Sequence, residues 1–141
     1  MISIKSKVAL AILCSFAICP FVFADTLYER LGGEKTVAEF VSETIELSAT
    51  DPSIKRSFDK VDLKKLKVKV AGQICALTGG PCKYSGDSMK LAHQGLDVTE
   101  AEFYGFVEIF RGTLNRAKVA EGAKNELLRI LAPMKRDIVT K

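Results

Sequence analysis

The chain has 141 residues and a mass of 15.4 kDa, 48% hydrophobic and 27% charged, with a formal charge of +4, four Cys, one His and no Trp. That length holds one small domain, and the mixture of apolar residues with charges of both signs excludes a disordered tail or a large multidomain enzyme. A single histidine also excludes any metal centre that needs two imidazoles.

Lys5 and Lys7 precede a nearly uncharged apolar run from Val8 to Phe23, and Val22-Phe23-Ala24 closes it just before Asp25. This pattern predicts a secretory leader over residues 1–24 and a mature domain over 25–141, exported in a bacterium to the periplasm. The alternative is an uncleaved N-terminal anchor. It is disfavoured because about 16 apolar residues fall short of the roughly 17 to 25 needed to span a bilayer. After removal of the leader, 19 basic and 17 acidic side chains remain, a charge of about +2 that implies no nucleic-acid partner and no stable membrane span. Cys14 and Cys19 leave with the leader; Cys75 and Cys82 stay. In an oxidising compartment, a lone pair seven positions apart is expected to form a disulfide rather than a metal site, which usually needs four ligands.

Along the mature chain the apolar period is helical nearly throughout. Val37, Phe40, Val41, Ile45 and Leu47 predict a first long amphipathic helix. Asp51-Pro52 reads as an N-cap followed by proline at the first helical position, opening a short helix with Ile54 and Phe58. Leu63, Leu66, Val70, Ile74 and Leu77 predict a second long helix, stopped by Thr78-Gly79-Gly80-Pro81. Asp87 is expected to cap a short helix that ends near Gly95. Thr99 with Glu102 forms a capping box before Phe103, Phe106, Val107, Phe110 and Leu114. Leu127, Leu128, Leu131, Met134 and Ile138 mark the last helix, with a kink expected at Pro133. No segment alternates with period two for long, so the fold is expected to be all-α, a small helical sandwich or bundle.

The lone His93 lies in Met89-Lys90-Leu91-Ala92-His93-Gln94-Gly95, one helical turn after Met89. Taken alone, such a histidine is more often structural than a ligand. Three further stretches change that reading: Thr26-Leu27-Tyr28-Glu29-Arg30-Leu31-Gly32-Gly33, Phe58 after a short helix, and Gly79-Gly80-Pro81-Cys82-Lys83-Tyr84-Ser85-Gly86. In this order and spacing, from about Thr26 to Val139, the chain resembles the group I truncated haemoglobins. The resemblance implies a two-on-two α-helical sandwich around haem b. The resemblance also implies that the haem is noncovalent; separately, the absence of a Cys-x-x-Cys-His motif excludes c-type attachment. The resemblance makes His93 the proximal iron ligand and places Phe58 and Met89 against the porphyrin, where plain core packing is the competing reading. Tyr84 is expected either to reach the haem edge or only to brace its loop.

On the distal side the sequence departs from the family. Counting from Gly32-Gly33, Ile45 holds the position of a ligand-bonding Tyr, preceded by Thr44 where Phe is common. Counting back from Gly79-Gly80, the distal helix presents Leu66, Lys69, Val70, Gln73 and Ile74, with Val70 replacing a Gln that assists the Tyr. Lys69 has two readings, a salt bridge to a haem propionate or coordination of the iron as a sixth ligand. Gln73 is a weaker candidate donor. The alternating stretch Lys64-Lys65-Leu66-Lys67-Val68-Lys69 is read as the solvated rim of a haem-binding helix, ahead of a membrane or acidic-partner surface. The expected function is reversible binding of O2, CO or NO in an unusually apolar distal pocket, dependent on an unidentified reductant. The alternatives are a nitric oxide dioxygenase and a helical interaction module without haem.

Overall fold

The computed structural model describes residues 24–141, so the predicted leader lies outside the described residues except for Ala24. Among the described residues all regular structure is helical, as the apolar period predicts, and no helix is long and apolar enough to cross a membrane. The chain runs through α1 (Leu27–Arg30), α2 (Gly33–Thr50), a 3-10 turn (Lys55–Phe58), α3 (Leu63–Leu77), α4 (Met89–Ala92), α5 (Glu100–Arg116) and α6 (Glu121–Leu131). A second 3-10 turn (Ala132–Met134) and α7 (Lys135–Ile138) complete it.

The core is built on α2, which packs against both α3 and α5. Val37, Phe40, Val41 and Ile45 are all buried there, against Ile74 of α3 and Phe110 and Leu114 of α5. The Phe40 ring meets Phe110 edge to face at 5.8 Å, and Phe106 stacks on Phe110 at 6.3 Å. Leu47, expected on this face, is 40% exposed instead. It stands two residues after Ile45, about 200° around the helix, so the inward stripe continues through Thr44 and Ser48, small polar residues that an apolar pattern does not register. Thr44 is held by its Oγ1 at 2.7 Å from both the Phe40 carbonyl and the Thr113 hydroxyl, so a hydroxyl pair joins α2 to α5 inside the core.

Two boundaries depart from the sequence reading. Asp51 does accept from the Ser53 amide at 2.8 Å, but the segment after it closes as a turn and a 3-10 helix, with Ile54 buried at its start. Ser88, not Asp87, caps α4, its Oγ accepting from the Leu91 amide at 3.3 Å. The capping box of α5 forms as expected, and at Pro133 the last helix passes through the 3-10 turn rather than merely bending. After α3, Gly79 takes φ +83°, and at Gly80 a Cβ would lie 2.6 Å from Cys75 Sγ and 2.8 Å from the Tyr28 ring. That close approach lets the chain turn back so that Cys82 bonds to Cys75, their Cα atoms 5.7 Å apart.

Replacing Phe40 with Ala is expected to cost about 3–5 kcal/mol of stability, whereas Leu47→Ala on the same helix should cost less than about 1 kcal/mol. Urea unfolding of the two variants checks the assignment of the buried face.

Candidate functional site

The short helix α4 ends where the site begins. His93 follows it as the C-cap, its amide donating to the Met89 carbonyl at 3.1 Å. Gly95 at φ +79° and Asp97 at φ +50° then turn the chain toward α5. The imidazole Nδ1 lies 2.8 Å from the Met89 carbonyl oxygen. A carbonyl only accepts, so this bond places the proton on Nδ1 and leaves the Nε2 lone pair available to a metal. Among the described residues no cluster of three or more His, Cys, Asp or Glu side chains accompanies it. A metal bound here would therefore have to bring most of its own ligands.

His93 borders a cavity of about 520 Å³, within the range of sites that take a large organic ligand. Every residue singled out from the sequence borders this one cavity: Ile45 from α2, Phe58 from the 3-10 turn, Leu66, Lys69, Val70 and Ile74 from α3, Tyr84 from the loop, and Met89 and His93. The sequence reading missed the opposite wall. Phe103, Phe106 and Val107 of α5 and Leu128, Leu131, Met134 and Ile138 of the C-terminal helices also line it. Their helical spacing was read as ordinary core, and spacing alone carries no signal that they enclose a cavity.

The polar groups of the lining are largely engaged. Gln73 Nε2 lies 3.6 Å from Met89 Sδ, so the amide spans from the distal helix to α4. The Tyr84 hydroxyl donates to the Asp87 carbonyl at 2.9 Å, bracing the loop while the ring borders the cavity. Burial, and then the negative charge of Asp87, hold its phenol above the ordinary value, so it stays a donor. Ser57 Oγ is buried with no partner among the described residues. Lys69 makes no ion pair or hydrogen bond among the described residues, and with Lys83, Ser85 and Tyr84 it also borders a second notch of about 200 Å³.

A single ion pair joins the two ends of the site. Arg56, two residues before Phe58, donates to the carbonyls of Leu96 at 2.9 Å and Asp97 at 2.8 Å, in the turn after His93. The same guanidinium pairs with Glu102, which also closes the capping box of α5. Burial alone would raise the Glu102 carboxyl, but the hydrogen bonds from Arg56 and Thr99 outweigh it and hold the group below its ordinary value.

Comparison with known proteins agrees with this geometry. Residues 26–140 match the family model described as bacterial-like globin. The chain is similar to a group 1 truncated hemoglobin of Tetrahymena pyriformis, 27% identical over 116 residues that cover 82% of this chain and 96% of that protein. A group 1 truncated hemoglobin of Synechocystis is 32% identical over 120 residues, covering 81% and 97%. Among solved structures, the Fe(III) form of the Tetrahymena pyriformis truncated hemoglobin superimposes with a TM-score of 0.78 at 26% identity, over 83% of this chain and 100% of that one. The 2/2 hemoglobin of a Synechococcus species, in the cyanomet state with covalently attached heme, gives 0.76 at 25% identity, over 83% and 100%.

Because the folded Glu102 carboxyl sits below its ordinary value of 4.5, the unfolded chain takes up that proton first on acidification. The contribution of the pair is thus fully present above about pH 4.5 and is lost as pH falls through the folded value. Glu102→Gln, which keeps the capping box but not the charge, is expected to destabilise the protein at pH 7 and to flatten the acid limb; urea midpoints between pH 7 and pH 3.5 measure both.

Proposed function

Since the chain belongs to the bacterial-like globin family, among its group 1 truncated haemoglobins, we propose that its cavity holds noncovalent haem b, with His93 Nε2 on the iron and a diatomic gas bound on the α3 side. The observation that carries this reading is the His93 Nδ1 bond to the Met89 carbonyl, which fixes both tautomer and ring orientation beside an apolar cavity. The donor set fits: one neutral imidazole, an aliphatic and aromatic lining, and a lysine without a partner among the described residues for an acidic edge. When bound, the haem supplies an iron that takes O2, CO or NO.

The residues of this chain then decide which gas is held well. Ile45, Leu66 and Val70 offer no hydrogen-bond donor, the Thr44 hydroxyl is engaged with Phe40 and Thr113, and Gln73 lies against Met89. Dioxygen gains roughly 1–2 kcal/mol from a positioned donor, whereas the less polar CO gains little. An apolar distal wall therefore favours fast release of O2 and works against nitric oxide dioxygenation, which needs a long-lived oxygenated form. For Lys69, the propionate salt bridge is the favoured role, because the side chain is exposed and shares its notch with Lys83. Export from the cytoplasm is supported by the leader pattern of residues 1–24 and by the Cys75–Cys82 bond.

Absorbance spectra of the haem-reconstituted domain in ferric, ferrous and ferrous-CO forms test the reading. His93→Ala should lose or severely weaken the Soret band; unchanged haem binding in that variant would overturn His93 as the iron ligand, and a wild-type domain that gives no Soret band after haem addition would leave only a haem-free helical module. Lys69→Ala should keep the wild-type spectrum if the lysine pairs with a propionate; loss of a low-spin species would instead show iron coordination. Ile45→Tyr should slow O2 dissociation about tenfold, with a much smaller effect on CO, by stopped-flow displacement.

A further inference from the structure

The charges of the mature chain are distributed unevenly around the site. Between Phe58 and His93, residues 59–92 carry seven lysines against three aspartates, a net +4. The rest of residues 25–141 carries twelve basic and fourteen acidic side chains, a net −2. Two of the seven lysines are committed internally, Lys67 to Glu46 of α2 and Lys65 to Asp62 at 3.5 Å. Lys60, Lys64, Lys69, Lys83 and Lys90 form no ion pair among the described residues.

Helical geometry separates the two faces of α3. Leu66, Val70 and Ile74 border the cavity, while Lys64, Lys65 and Val68 lie on the opposite, exposed side, with Val68 71% exposed. Lys69 stands on the border between the faces and touches both the cavity and the outer notch. On α4, Lys90 is exposed beside Leu91, itself 57% exposed. Val68, Lys69 and Lys83 thus meet in a basic notch that shares Lys69 and Tyr84 with the cavity, and Lys60, Lys64 and Lys90 add exposed positive charge on the segments that carry α3 and α4.

We infer that this surface docks an acidic electron-transfer protein that reduces the haem iron, an inference that rests on the haem reading above. O2 binding requires ferrous iron, so a ferric site must gain one electron. The donor, a reduced flavoprotein or similar one-electron carrier, loses that electron, and no covalent bond is made or broken. Even with two haem propionates counted, the segment keeps about +2, opposite in sign to a carboxylate-rimmed donor. Flexible rim lysines accelerate encounter more than they tighten the complex, which suits a partner that must leave after one transfer. An anionic bilayer meets the same charge, but the apolar side of α3 faces the cavity and its outer side carries no aromatic residue, so nothing is presented for insertion.

The probe is a reduced flavodoxin, an acidic flavoprotein, mixed with the ferric haem-loaded domain in stopped flow. At low salt, Lys60→Glu/Lys64→Glu/Lys90→Glu should be reduced about tenfold more slowly than wild type, the wild-type rate should fall as salt rises, and reduction by photoreduced, uncharged deazariboflavin should be unchanged. An unaltered Soret spectrum certifies that the triple variant is folded, and the milder lysine-to-glutamine triple should show a smaller slowing in the same direction. In parallel, oxidised flavodoxin titrated into the isotope-labelled domain should shift amides of residues 60–69 and 83–91. Rates indifferent to both salt and charge reversal, or shifts clustered elsewhere, overturn the proposal. So does binding to phosphatidylserine vesicles with no response to flavodoxin, which assigns the surface to a membrane. A protein that takes up no haem defeats the haem reading instead, and the amide shifts still test the surface.

Discussion

The site depends on one guanidinium that bridges about forty residues of sequence. Arg56 sits on the turn that carries Phe58, and its hydrogen bonds to the Leu96 and Asp97 carbonyls grip the turn that follows His93. Asp97 is held at φ +50°, a left-handed conformation that costs a non-glycine residue roughly 1–2 kcal/mol. The Arg56 bonds offset that cost, and the pairing with Glu102 ties the same point to the first turn of α5. Because Arg56 is half exposed, water screens the pair, and its worth lies more in fixing positions than in net stability. Phe58 and His93 are thereby held in fixed relation across the cavity.

The same logic governs the polar groups nearer the interior. Two hydroxyls, Thr44 and Thr113, lie within hydrogen-bond distance of one another and of the Phe40 and Phe110 carbonyls, so their two protons are taken up among these acceptors and α2 and α5 meet closely without either hydroxyl donating toward the cavity. Met89 is used twice: its carbonyl orients the His93 ring, and its sulfur meets the Gln73 amide from α3. The chain thus consumes most of its interior donors in holding helices together, and the cavity wall that remains is mainly aliphatic and aromatic, with Ser57 Oγ and Lys69 the exceptions.

How much of this was legible in the sequence follows from which forces are local. Long helices announce themselves through apolar period and caps, so α2, α3, α5 and the break at Pro133 were readable, as was the set of residues that converge on the cavity. Leu47 misled because the buried stripe of α2 passes through Thr44 and Ser48, whose burial depends on partners in other helices. Asp87 and Ser88 are adjacent and equally good caps, and only the backbone geometry chooses between them. The Arg56 bridge was invisible because its acceptors are backbone carbonyls forty residues away, which leave no mark on side-chain patterning. The cavity wall on α5 and α6 was visible as residues but not as a wall, since an apolar face looks the same whether a helix or a ligand covers it.

The lysines of α3 mark where local rules are set aside. Lys64 and Lys65 occupy its first turn, where the positive end of the helix dipole disfavours cations, and no acidic residue stands there to complement it. Lys65 and Lys69 are four apart, a like-charge spacing that costs a few tenths of a kcal/mol more. Only Asp62, accepting from the Lys65 amide at 3.1 Å, compensates at that end. Nothing in the packing of α3 requires this arrangement, because Lys64 and Lys65 are exposed. Violations of local preference without a structural return are characteristic of surfaces shaped by function. Here they concentrate on the outer face of the helix whose inner face lines the gas site, so one element segregates an apolar interior for the ligand from a charged exterior for whatever approaches it.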